Sequence, residues 1–221
     1  MRLVDLSHPI EAGMITYPGL PGPVMSDHLS REASRKNYAP GTSFQIGKIE
    51  LVANTGTYVD SPFHRFEGKA DVGSLPLANL AEVPGLVVDA SGRGRALEAD
   101  LFKALPVRGR AVLVRTGWDV HFRTPRYFEG HPYLTRAAAQ ALVDGGAAVV
   151  GIDSLNIDDT KDLERPAHTV LLSAGIPIVE HLTNLGSLPA EGFRFTAVPA
   201  PVRGIGSFPV RAYATVFEED R

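Results

Sequence analysis

Cysteine is absent from the 221-residue chain. That excludes disulfides, thiolate metal ligands and a cysteine nucleophile, and it suits a reducing compartment. No apolar run approaches membrane-spanning length. Met1 to Asp5 leads straight into a strand-like segment, with no secretory leader pattern. A cytoplasmic protein with no membrane partner is therefore expected. Charge of one sign is not in excess either. Lys+Arg total 22 against 25 Asp+Glu, a formal net charge of -3. The basic residues are scattered, with no aromatic-interleaved stripe, so no nucleic-acid partner is expected. The GxSxG elbow, the P-loop, the dinucleotide fingerprint and HExxH are also missing. Gly204-Ile205-Gly206 pairs glycines outside any strand-to-helix context. No serine sits in a recognisable elbow, which counts against a Ser-His-Asp triad.

What is present is ordinary globular composition, 44% hydrophobic and 21% charged, at a length that fits one domain over 1–221. Gly (22) and Pro (17) are frequent, which predicts many turns. Leu3 to Leu6 reads as a short strand, followed by some forty Pro/Gly-rich residues with little periodicity. Ser43 to Ala53 reads as two strand pieces broken near Gly47-Lys48. Leu86 to Ala90, Ala111 to Thr116, Ala148 to Asp153 and Ile176 to Glu180 are buried-strand candidates. Phe193 to Val198 and Arg211 to Phe217 follow as the last strands. Leu97, Leu101 and Leu105 are spaced by four, predicting a short helix over Glu98 to Leu105. Thr135 to Gly145 is the clearest helix, with Thr135 to cap it and Gly145-Gly146 to stop it. A short helical piece is expected over Val170 to Ser173. Strands alternating with helices give an α/β fold class.

The densest chemistry lies in Asn54-Thr55-Gly56-Thr57-Tyr58-Val59-Asp60-Ser61-Pro62-Phe63-His64. In extended chain, residues two apart share a face. Asn54, Tyr58 and Asp60 then point one way, and His64, past Pro62, can fold back over them. Asp60 and His64 suit a zinc or manganese ion; Asn54 is a weaker oxygen donor, and neutral Tyr58 a poor ligand. A hydrogen-bonded turn with a surface histidine accounts for the same residues without chemistry. Further ionisable groups stand at strand ends: His168, Glu180-His181, Asp5 with His8, and the Asp153-Ser154-Leu155-Asn156-Ile157-Asp158 loop. Trp118 and Arg115 are candidates to wall a pocket, though a core tryptophan is the simpler reading. Phe63, Phe66, Phe122, Tyr127 and Phe128 offer further apolar lining. Arg65 or Arg115 are candidates to bind a substrate carboxylate.

These pieces together resemble the cyclase family of metal-dependent hydrolases, which includes bacterial kynurenine formamidase and isatin hydrolase. The resemblance runs over nearly the whole chain. Its marks are Asp5-Leu6-Ser7-His8-Pro9-Ile10, Tyr17-Pro18-Gly19, Asn54 to His64, Arg115-Thr116-Gly117-Trp118, His131-Pro132-Tyr133-Leu134, Gly151-Ile152-Asp153-Ser154, His168, and Glu180 to Leu185. The family pattern at the central strand is His-x-Gly-Thr-His-x-Asp-x-Pro-x-His. Gly56, Thr57, Asp60, Pro62 and His64 match it. Asn54 and Tyr58 stand where two metal-binding histidines are expected.

The resemblance implies a swivelling β/β/α domain, a homodimer or homotetramer, and hydrolysis of an amide, formamide or lactone-like bond in a small, aromatic substrate. It implies metal ligation by Asp60, His168 and Glu180, with Asn54 or water completing the set. It assigns acid–base work to His64, and to Glu180 if no metal is held. Tyr58 becomes a hydrogen-bond donor to a developing oxyanion. Trp118, Phe63 and Arg115 are the expected substrate contacts. Losing two imidazoles argues for one divalent ion per chain, zinc or manganese, or for none. Two other readings share these residues: a metal-free lyase or isomerase, and a non-catalytic relative that binds a small ligand.

Overall fold

The apolar runs of the middle of the chain pair as parallel strands, and everything else is arranged around them. A computed structural model describes residues 1–217. Its strands are β1 (Arg2–Asp5), β2 (Val24–Leu29), β3 (Ile46–Glu50), β4 (Tyr58–Asp60), β5 (Val83–Asp89), β6 (Ala96–Leu97), β7 (Ala111–Arg115), β8 (Tyr133–Leu134), β9 (Val149–Ile152), β10 (Ile178–Glu180), β11 (Phe193–Thr196), β12 (Ser207–Pro209) and β13 (Tyr213–Val216). The helices are α1 (Arg31–Ser34), α2 (Arg136–Gly145) and α3 (Pro166–Ser173). One mixed sheet has the order β1-β13-β11-β5-β7-β9-β10-β4-β12. Its centre, β5-β7-β9-β10, is parallel; β4 and β12 extend it antiparallel at one end. The α/β class expected from the alternating pattern is the class observed. Among the described residues, no helix is long and apolar enough to cross a membrane.

Successive strand residues point to opposite faces, so each buried strand feeds two cores. Val112, Val114, Val150, Ile152 and Ile178 pack with Ala138, Ala139 and Leu142 of α2 and Leu171 and Leu172 of α3. Ala111, Leu113, Val149, Val59 and Val179 pack on the other face with Leu6, Phe193 and Phe195. Helix α2 forms where its caps dictate. Thr135 accepts from the Ala138 N–H, and Gly146 takes the left-handed conformation that ends it.

Three local expectations change. Within 43–53 a single strand forms, β3 over Ile46–Glu50, paired with β2, a strand the Pro/Gly-rich sequence hides. The irregularity falls between Asp27 and Leu29 on β2, and Gly47 stays in register. Residues 98–105 form only a single tight turn, Ala99–Leu101, while Leu97, Leu101 and Leu105 still pack into the helix-side core. Lastly, 54–60 is not continuously extended. Gly56 lies at φ +66, and pairing begins at Tyr58. Asn54 therefore reaches the site through a turn, not along the strand.

Candidate active site

Sheet register builds the site. On β4, Tyr58 and Asp60 face the helix side, while Val59 faces the other core. Glu180 of β10 is directly opposite Tyr58, and Ser207 of β12 is directly opposite Asp60. Cross-strand neighbours of this kind are within side-chain contact. Tyr58 accordingly donates its hydroxyl to Glu180 Oε2 at 2.5 Å. Ser207 donates to Asp60 Oδ1. Past β4, Pro62 opens a tight turn that brings His64 back, with its Nδ1 2.9 Å from Ser207 Oγ and 3.8 Å from Asp60 Oδ1. Gly206 permits this approach. A Cβ there would meet the His64 backbone Cα at 2.4 Å.

Helix α3 supplies His168. Asp158 accepts from the N–H groups of Ala167 and His168 at 2.6 and 3.0 Å, and from His168 Nδ1 at 2.7 Å. The ring is thus fixed with Nδ1 protonated and Nε2 facing two carboxylates. That Nε2 lies 3.5 Å from Asp60 Oδ2 and 3.7 Å from Glu180 Oε1. Glu180 is further held by the Ile157 N–H at 2.7 Å and by Asn156 Nδ2 at 3.3 Å. The Asn156–Asp158 loop therefore does frame the site.

Burial pushes the Glu180 carboxyl up to about 7, against the pull of His168. Burial works against charge on His168 too, yet the hydrogen bond to Asp158 and the nearby negative charges of Glu180 and Asp60 lift it to about 10. Asp60 is raised by burial, but His64, His168 and Ser207 together hold it below its ordinary value. Burial, followed by the charges of Glu180 and Asp60, keeps the Tyr58 phenol protonated.

Asp60, Asp158 and Glu180, all fully buried, thus surround one imidazole. Buried charge without compensation is costly, so a positive charge is required between Asp60 and Glu180. A proton on His168 Nε2 supplies it, and so does a divalent cation. The donor set suits the cation. Asp60 Oδ2 is buried with no hydrogen-bond partner among the described residues. Ligand atoms of Asp60, His64 and His168 lie within 4.8 Å of one another. The Asn54 and Tyr58 positions are different in kind. Asn54 turns its amide nitrogen to Asp60 Oδ1 (3.5 Å) and Ser207 Oγ (3.3 Å), so its oxygen does not complete a ligand set on Asp60. The Tyr58 proton is engaged by Glu180 and is not free for a substrate oxyanion in this arrangement.

A cavity of about 300 Å³ opens onto this cluster, lined by Asn54, Tyr58, His64, His168 and Glu180 together with Tyr17, Leu20, Arg65, Asn156 and Arg165. The three expected substrate contacts are placed away from this lining. Trp118 donates its indole N–H to the Tyr127 carbonyl at 3.0 Å and lies under Arg126. Arg115 pairs with Asp89 at 2.9 Å. Phe63 is half-buried within the turn that carries His64. Ser207 and Arg165 are site residues that no sequence motif marks. Ser207 sits in a three-residue strand without periodicity, and nothing in the sequence marks Arg165 except its place before Pro166.

Comparison with known proteins agrees with this geometry. The cyclase family model matches residues 4–159. Kynurenine formamidase of Salinibacter ruber is 26% identical over 214 residues, covering 96% of both chains. A solved structure described as a potential metal-dependent hydrolase with cyclase activity superposes with a TM-score of 0.81 at 25% identity, covering 99% of both chains. Isatin hydrolase A of Labrenzia aggregata gives a TM-score of 0.83 at 24% identity, covering 98% of this chain and 94% of its own, a likeness of fold.

Proposed function

This chain belongs to the cyclase family, and we propose that it hydrolyses a C–N bond (an amide or formamide) or a lactone-like bond in a small aromatic substrate at a site reduced to one cation. The observation that carries the reading is the buried Asp60 Oδ2, without a hydrogen-bond partner among the described residues, facing His168 Nε2 beside Glu180. The kynurenine formamidase relatives support the bond and substrate class. Asp60 and His168 would hold the cation, with Glu180 as the adjacent carboxylate. Asn54 serves as an amide donor that orients Asp60. The oxygen-rich donor set suits manganese as well as zinc. A divalent ion bound here supplies charge stabilisation at the carbonyl oxygen and easier deprotonation of water.

The chain's own groups manage the protons. The single Ser207 proton goes to Asp60, so Ser207 Oγ accepts from Asn54 Nδ2 and from His64 Nδ1. His64 then carries hydrogen on Nδ1 and a free lone pair on Nε2. From the cavity wall, that nitrogen takes a proton from the attacking water and returns it to the leaving group. Tyr58 and Asn156 hold the orientation of Glu180. The β2–β3 ribbon exposes Met25, Ile46 and Ile49, with Phe44 exposed just before it, an apolar surface suited to a homodimer or homotetramer.

Turnover of formanilide by wild type and its loss in Asp60→Ala test the proposal; wild-type activity in the variant would sink the assignment. One observation favours a second reading, metal-free proton transfer in a lyase or isomerase. Glu180, with its carboxyl raised to about 7 beside Tyr58, lies in the range of a general acid or base. Turnover that survives chelation would select it.

A further inference from the structure

The cavity that ends in carboxylates is also lined by two guanidinium groups, Arg65 and Arg165. Six other arginines (95, 110, 115, 123, 136 and 211) pair with acids. Arg65 and Arg165 are among the arginines with no ion pair to an acid among the described residues, and they are the two that line this cavity. Among the described residues, the Arg165 side chain donates to neutral groups alone, Asn156 Oδ1 and the Tyr17 hydroxyl, each at 3.3 Å. Arg65 lies exposed over the Phe66 ring at 5.4 Å.

The backbone gives no reason for an arginine at 165. The residue holds φ 49 and ψ 61, left-handed, immediately before Pro166. Both its own Cβ and the following ring disfavour that conformation, which glycine or asparagine would adopt more readily. Its side chain does not cap α3 either. Strained residues of this kind persist where the side chain is needed. Asn156 fixes where the guanidinium sits. The Asn156 Oδ1 accepts from Arg165 and from the Asp158 N–H, while its Nδ2 donates to Glu180. One side chain therefore sets the spacing between Arg165 and the catalytic carboxylate. Of the five guanidinium donors, three remain free, enough for a two-pronged contact with a carboxylate.

We propose that Arg165, supported by Arg65 and the Tyr17 hydroxyl, binds a carboxylate of the substrate, so that the enzyme prefers small aromatic acids carrying the scissile bond close to the acid group. The substrate part of this inference rests on the hydrolase reading; the anion site rests on the cavity alone.

Calorimetric binding of benzoate and of benzyl alcohol tests it on wild type, Arg165→Gln, Arg165→Lys and Arg165→Gly. Wild type is expected to bind benzoate at least about 10-fold more tightly than benzyl alcohol, the scale of a charge-assisted hydrogen bond. Arg165→Gln should erase that preference and Arg165→Lys retain part of it. Arg165→Gly should lose it while melting no lower than wild type, because glycine relieves the left-handed backbone. Undiminished benzoate preference in the Gln and Gly variants would overturn the proposal. So would benzoate binding that disappears on chelation and not in Arg165→Gln, since the anion would then sit on a cation. In the same proteins, the kcat/KM ratio of 2-carboxyformanilide to formanilide should fall about 10-fold or more in Arg165→Gln. If wild type hydrolyses neither compound while benzoate binding depends on Arg165, the hydrolase reading fails and the anion site stands.

Discussion

His168 and His181 are both buried, and they behave in opposite ways. His168 faces Asp158, Asp60 and Glu180, and its pKa rises to about 10. His181 directly follows Glu180, but its positive φ of 56 turns it among the rings of Tyr58, Tyr127 and Phe122. Among the described residues its ring has one hydrogen-bond partner, the Tyr127 hydroxyl at 2.8 Å from Nδ1, and its Nε2 has none. Burial, then the neighbouring His8, drives its pKa down to about 3. Burial is common to both, so burial does not make a cation site. Carboxylates aimed at the ring do, and only His168 has them. Only that side of the sheet register is equipped for the proposed chemistry.

The largest expected consequence concerns stability in acid. His181 is neutral when folded and titrates near 6.5 when unfolded. Between those values the unfolded chain binds the additional proton, so stability falls as the pH drops from about 6.5 towards about 3. At its limit this removes on the order of 4–5 kcal/mol. His181→Asn keeps a residue type tolerant of the left-handed backbone and removes the titration. Its acid-unfolding midpoint, followed by circular dichroism, should lie lower in pH than that of wild type; an unchanged midpoint would show that His181 is not held neutral. A smaller effect is expected from making His168 resemble His181. Asp158→Asn removes the negative charge and one of the two acceptor oxygens that fix the His168 ring and the start of α3, and metal affinity should drop about 10- to 100-fold. Competition with a chromogenic chelator measures this directly. Unchanged affinity would detach His168 from the cation site.

Much of this was legible in the sequence, for identifiable reasons. Thr135 and Gly146 mark α2 because capping is local chemistry. Val112 to Val114 and Val149 to Ile152 are recognisable because doubly buried strands must be apolar throughout. Asp60, His64, His168 and Glu180 converge as the motif pattern implies. The remainder depends on pairing across distance. That Ser207 faces Asp60 follows from β12 lying beside β4, a contact between residues 147 apart. Tyr58 finds Glu180 through antiparallel register, which turned an expected oxyanion donor into a partner for a carboxylate. Trp118 and Arg115 were plausible pocket walls by residue type. Yet β7 ends beside Asp89 and not at the cavity, so Arg115 pairs there.

The proposed site holds one divalent cation between the carboxylates around His168, and Asn54 and Tyr58 stand where ligands for a second would be. Elemental mass spectrometry of protein purified without chelator, on wild type, Asp60→Asn and the Asn54→His/Tyr58→His double variant, tests it most directly. About one zinc or manganese ion per chain is expected in wild type, almost none in Asp60→Asn, and about two in the double variant, where the imidazole ligands are restored. No ion in wild type, even after zinc or manganese is supplied, would contradict it and leave the proton on His168 as the only charge the site holds.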